Sequence, residues 1–279
     1  MRMVPAFEPG KTYRFVSESR IRMQLPGRGI REAIVEQQSR IDSMARDDGR
    51  PGVSLRARIE RLKVEFRSGE KKILYDSFKE EDRSSKLGQH FRHSLNRWVD
   101  LKTSPDLQIV EVSHGGLEGL GTLIPGVPQF GLNDLEKLVA EIPQGLPENA
   151  VVPGETWQIE GRREVTDVGE LEFDVSYRYL GPVDHEGNTC FEIEVGGQIG
   201  GDAIISESGG SLADKELSFR GSSLTGRILF DPTVSVVRLR EQTVSMLMEL
   251  PSQGEGTPAV QIPVEQQATI RLLHVVPTS

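Results

Sequence analysis

The chain has 279 residues, 36% of them hydrophobic and 27% charged, with a formal net charge of -9. This is the composition of a globular protein with ample material for a core, and no segment approaches the ~18 consecutive apolar residues of a membrane helix. A single cysteine, Cys190, excludes an internal disulfide and a multi-cysteine zinc site, and it reads as a small apolar strand residue.

The first strong pattern is Tyr13, Phe15, Ser17, Ser19, Ile21, Met23 and Leu25 alternating with Arg14, Glu18, Arg20, Arg22 and Gln24, which is the period of a long strand. A turn at 26–29 leads to a second run over 32–46. A third begins with Val53, Leu55, Ala57 and Ile59 on one face and continues one residue late at Leu62, Val64 and Phe66. That phase change predicts a β-bulge near Glu60 and Arg61. Residues 71–77 read as a shorter fourth strand. Strands of about a dozen residues, about 40 Å each, twist and curl, so a strongly bent sheet with one concave face is expected.

Residues 80–95 read as a short helix, followed by a hairpin around Ser104, Pro105 and Asp106. Glycine then dominates, at Gly115, Gly116, Gly119, Gly121, Gly126 and Gly131, before a helix capped by Asn133 with Leu132, Leu135, Leu138, Val139 and Ile142 on one face. Residues 143–154 form a linker. Beyond it, Pro153, Gly154, Thr156 and Trp157 repeat the strand start Pro9, Gly10, Thr12 and Tyr13 at an offset of 144 residues. A hairpin follows, with Leu171, Phe173, Val175, Tyr177 and Tyr179 on one face and the turn at 184–188. Strands come next at 216–219, 224–230, 234–240, 243–250 and 264–276.

The fold class is therefore mainly β: a long curved antiparallel sheet or sheets or a half-barrel, with the repeated strand start suggesting duplication, and a small helical and Gly-rich insert. Residues 1–113 form a first antiparallel unit, 114–150 the Gly-rich loop, helix and linker, and 151–279 a second unit, continuous with the first or separate from it.

Charge is unevenly placed. Residues 1–100 hold 22 Lys+Arg against 15 Asp+Glu and the rest 11 against 27. With aromatics at 6%, base stacking is poorly supplied, and the expectation is two parts packing through complementary faces, without nucleic acid.

Several segments carry a resemblance: PGKTYRF, KILYDS with LGQHF after it, the stretch 107–116, PENAVVPGETW and GRILFDPTVSVV. Together they resemble a family of uncharacterised bacterial proteins that pair a Pro-Gly-x-x-Tyr/Trp strand start with a late Gly-x-x-x-Phe-Asp segment. More distantly, the pattern is similar to the lipoprotein-carrier and lipid-transfer superfamily. The first resemblance implies export to the periplasm or beyond, and the second a curved half-barrel that holds acyl chains. Residues 1–16 carry charges and a proline where a secretory signal has an apolar stretch, which leaves the cytoplasm or a mature exported form.

No catalytic motif emerges. His90 and His93 share a face only if helical, and His114, His185 and His274 stand alone. A nucleophile elbow is absent, and Gly116, Gly119 and Gly121 lack the Lys-Ser/Thr of a phosphate loop. Glu80, Glu81, Asp82, Asp47 and Asp48 read as solvated acids. The expectation is a non-enzymatic carrier without metal or cofactor, binding a lipid acyl chain or lipoprotein in the concavity of the sheet. Its wall would be Phe15, Ile21, Met23, Leu55, Ile59, Phe173, Tyr177, Phe230, Met246 and Met248, with the Gly-rich segment and its helix as a lid. The other reading is a structural or protein-interaction module of a bacterial envelope assembly.

Overall fold

Strand β1 (Lys11–Leu25) is the centre of the molecule, because it pairs with both β2 (Gly29–Ala45) and the last strand, β12 (Val260–Pro277). The computed structural model describes residues 1–27, 29–92, 94–113, 133–165, 169–205, 215–250 and 259–278. Among them run β3 (Val53–Ser68), β4 (Lys71–Asp76), the short helices α1 (Glu80–Arg83) and α2 (Lys86–Phe91), β5 (Val99–Thr103), β6 (Ile109–Ser113) and α3 (Asn133–Glu141). Then follow β7 (Thr156–Val165), β8 (Gly169–His185), β9 (Asn188–Ile205), β10 (Lys215–Asp231) and β11 (Val236–Leu250).

The strands form one open, curved antiparallel sheet in the order β6-β5-β3-β2-β1-β12-β11-β10-β9-β8-β7, with β4 beside β3. Its strand-scale features follow from the sequence. The bulge falls at Glu60, since Gln38 faces Arg61 while Ser39 faces Ile59. In the β8–β9 hairpin His185 pairs with Asn188, and the two residues between, Glu186 and Gly187, both have positive φ, as a tight twisted turn requires.

Some readings change. The helix expected over 80–95 is two short helices, interrupted at Ser84 and Ser85, with the Ser85 hydroxyl accepting from the Gly88 amide. The segments 216–219 and 224–230 belong to one strand, because the register shift between Phe219 and Leu224 absorbs the irregularity without ending the pairing. Likewise 234–240 and 243–250 merge into β11. The two charge-biased parts are joined edge to edge through the β1–β12 ladder and share one hydrophobic core. Ion pairs such as Arg14–Glu60, Arg61–Asp76 and Arg227–Glu241 each link strands of the same part.

One face of the sheet carries the core. Tyr13, Phe15, Ile41, Leu55, Ile59, Val195, Ile228 and Leu272 all point into it, and α3 adds Leu135, Leu138, Val139 and Ile142. These four are the predicted apolar face of that helix; Leu132 and the Gly-rich segment before it lie outside the described residues. On the opposite face Cys190 packs with Leu229 and Leu239, the small buried strand residue expected.

Candidate functional site on the inward face

Register places the inward side chains in rows that cross the sheet. Ser17 lies beside Gln37 on one side and Ile270 on the other, and Ile270 faces Arg240, which faces Ile228. The next row runs Val35, Ser19, Ala268, Gln242, Gly226, Val195, Tyr177 and Trp157. Beyond it come Ala33, Ile21, Gln266, Val244 and Leu224, and then Met23, Val264 and Met246.

The two ends of this face differ. At the Phe15 end the large side chains of Phe15, Leu55 and Ile59 are sealed at 0% exposure in the core that α3 shares. There the Ile142 amide donates to Leu138, Gly145 sits against the Tyr177 ring, and Arg240 Nη2 donates to the Gln144 carbonyl. At the other end Ile21, Met23, Val264, Met246 and Met248 stay half-buried.

The ten candidate wall residues therefore separate. Phe15, Leu55, Ile59, Tyr177 and Phe230 lie in the filled core, Tyr177 stacked on Trp157 at 5.7 Å and Phe230 on Phe191 at 6.5 Å. Ile21, Met23 and Met246 come together at the open end, with Met248 facing Phe219 one row on. Phe173, over Gly161 on β7, packs on the same core cluster and lines a cleft of about 800 Å³ with Ile199, Arg162, Arg220 and Phe219, the residue that faces Met248.

Sequence reading passed over the polar members of the face. Arg240, Gln242 and Gln266 share the phase of Met246, Met248 and Val264, so period two alone marks them as inward. Arg240 is 3% exposed, and burial pushes its guanidinium below its ordinary value, against the opposing influence of Tyr177 and Glu141. Burial raises the Tyr177 phenol, and the Arg240 charge acts against that.

Among the described residues no two histidine side chains are brought together. His185 ends β8, and His274 on the outer face meets Arg14 Nη1 at 3.0 Å; His93 and His114 lie outside the described residues. No cluster of three or more His, Cys, Asp or Glu positioned to hold a metal occurs among the described residues. Glu80 and Asp82 are occupied within their own turn, Glu80 with Arg83 and Asp82 with the Asp76 amide.

The fold has a counterpart in a solved structure. Over 98% of this chain and 26% of its own length, the lipovitellin chain described under "Lipid-protein interactions in lipovitellin" superposes with a TM-score of 0.52 at 12% identity. That likeness is one of fold. This chain thus spans about a quarter of the protein it matches. A domain assigned to outer-membrane lipoprotein sorting in Vibrio parahaemolyticus aligns over 97% of this chain and 86% of its own, at 7% identity, but its TM-score of 0.18 is too low to bear on the fold. No protein-family model matches the sequence, and no curated protein matches it.

Proposed function

We propose that the protein is a non-enzymatic carrier that holds a hydrophobic ligand, an acyl chain, on the open end of its inward face. The observation that carries this reading is the contrast along that face: the Phe15 end is filled by the chain's own helix and linker, whereas Ile21, Met23, Val264 and Met246 lie side by side and half-buried. Apolar surface left in water at about 25 cal/mol per Å² supplies the driving force for an occupant, and unbranched Met side chains adapt to different chains. The shared fold with a lipovitellin structure concerned with lipid–protein interactions supports the reading at the level of architecture. Export, which the family resemblance implies, belongs to this proposal and is read by fractionating the native host.

Native mass spectrometry of the purified protein, with lipid analysis of an organic extract and an unrelated protein from the same preparation as control, tests it. A discrete adduct matching an extracted lipid is expected. A clean mass, with no uptake of added fatty acid or phospholipid, overturns it. The open sheet also leaves the outer edge of β7 without a strand partner among the described residues, which favours strand addition by a protein partner as the second reading.

A further inference from the structure

Three charged residues among the described ones are, taken whole, more than nine-tenths buried: Asp42, Asp231 and Arg240. Two of them are paired. Asp42 Oδ1 accepts from Arg40 Nε at 2.8 Å and from the Thr12 hydroxyl at 2.6 Å, and Asp231 Oδ2 accepts from Arg238 Nε at 2.9 Å and Nη2 at 2.6 Å. Arg240 has no hydrogen-bonded carboxylate among the described residues. Its Nη2 donates to the Gln144 carbonyl, while Nε and Nη1 have no hydrogen-bond partner. Tyr177 and Glu141 are near enough to act on its charge, yet neither accepts from those two nitrogens.

A guanidinium taken out of water with donors unmet is among the costliest groups a fold can hold, so its retention calls for an acceptor. Its position indicates which kind. Arg240 faces buried Ile228 and Ile270, and in the next row Gln242, Ala268 and Gly226 are half-buried beside the buried Val35, Val195 and Tyr177. Along β11 the inward side chains then read Arg240, Gln242, Val244, Met246, Met248: a cation, an amide, and three apolar groups over about 26 Å of strand. Gln266, beside Val244, adds a second amide at the polar end. Arg31, also in the inward phase, is half-buried and lies at the far end, opposite Met23.

Building on the carrier reading, we infer that Arg240 receives the oxyanion of an acidic amphiphile, a carboxylate or phosphate at the head of an acyl chain whose tail runs over Val244, Met246 and Met248. The anion supplies the acceptor that Nε and Nη1 lack, with Gln242 as a further donor, and the polar-to-apolar order of β11 sets the direction in which the chain lies.

The test titrates the wild-type protein with a long-chain fatty acid, its methyl ester, acetate and inorganic phosphate. The acid should bind at least tenfold more tightly than the ester, as a charge-assisted hydrogen bond requires, and acetate and phosphate should neither bind nor compete at millimolar concentration. Arg240→Gln should lower acid binding at least tenfold and bring the acid-to-ester ratio close to one. Equal binding of acid and ester by the wild type overturns the role of Arg240 and leaves the carrier reading intact. Failure of both to bind removes the carrier reading as well. Phosphate binding as tightly as the fatty acid overturns the amphiphile in favour of a free oxyanion. Should Arg240→Gln not fold, the wild-type ratio of acid to ester decides alone.

Discussion

Arg14 on β1 reaches over the intervening strand to Glu60 on β3, its Nε 3.0 Å from Oε2, and Glu60 is the residue that the bulge extrudes from the ladder. Arg14, Arg40 and Arg58 stand directly opposite one another on the three central strands, an arrangement of like charges that repels. Glu60 also accepts from Arg58 Nη2 at 2.9 Å, so the bulge aims a carboxylate into a row of three cations. Glu60→Gln removes that charge and should cost about 1 kcal/mol, read as a lower denaturant midpoint with unchanged m.

Glu60 and the separate Arg61–Asp76 pair should make the fold sensitive to acid. Burial pushes the Glu60 carboxyl up, but the hydrogen bonds from Arg58 and Arg14 outweigh it and leave a lowered value; Asp76 is lowered chiefly by Arg61, which donates to it twice. Depressed carboxylates stabilise fully above their unfolded values of about 4 and lose that contribution as pH falls through the lower folded values. Stability measured by denaturant should therefore drop progressively below about pH 4 to 5, and Glu60→Gln should shrink the drop. A variant as acid-sensitive as the wild type would assign the limit to other groups.

Trp98 is the second device on this face. The Arg56 and Arg58 guanidinium carbons lie 4.9 and 4.6 Å from its ring centroid and that of Arg40 5.7 Å. Trp98→Ala should lower thermal stability by about 1 to 2 kcal/mol, while Trp98→Phe should keep about half of that, because the cation–π attraction and part of the area survive.

Wall and core are separable by paired substitutions. Phe15→Ala empties a sealed position and should cost about 3 to 5 kcal/mol. Met246→Glu, at a half-buried position of the open end, should leave the fold intact in a thermal melt yet abolish uptake of a fluorescent fatty acid. If Met246→Glu destabilises as much as Phe15→Ala, the open end is core.

Gly145 has φ of +76°, and a Cβ there would enter the Tyr177 ring. Gly145→Ala should therefore cost about 1 to 3 kcal/mol and speed amide exchange in the turn that holds Arg240, because that turn must lift from the sheet. Gly154→Ala, with positive φ but open space, should cost less.

Much of this fold could be read along each strand and little of it between strands. Period two gave the inward phase of Tyr13, Phe15, Ile21 and Met23, and the slip from Ile59 to Leu62 gave the bulge, since both are local consequences of side chains alternating across a pleat. The join of β1 to β12 has no local signal, because pairing partners about 250 residues apart leave no mark within either segment. For the same reason alternation grouped Phe15 and Leu55 with Met23 and Met246: it assigns a face but not a position along it, and which end α3 covers depends on tertiary packing. Arg240 was hidden by its type, since an arginine flanked at i−2 and i+2 by Arg238 and Gln242 reads as solvent-facing until Val244, Met246 and Met248 farther along the strand fix the phase.

The ladder from β1 to β12 has a temporal consequence. As the chain leaves the ribosome, β1 can zip to β2 at once, but its other edge, from Lys11 to Met23, stays open until Val264 to Pro277 has been made. For most of synthesis this long row of free amides and carbonyls, flanked by Phe15, Ile21 and Met23, is a template for any passing strand. Arg14, Glu18, Arg20 and Arg22 on that same strand then serve as gatekeepers as well as surface charges, keeping the edge of an unfinished molecule from pairing with another before its own last strand arrives.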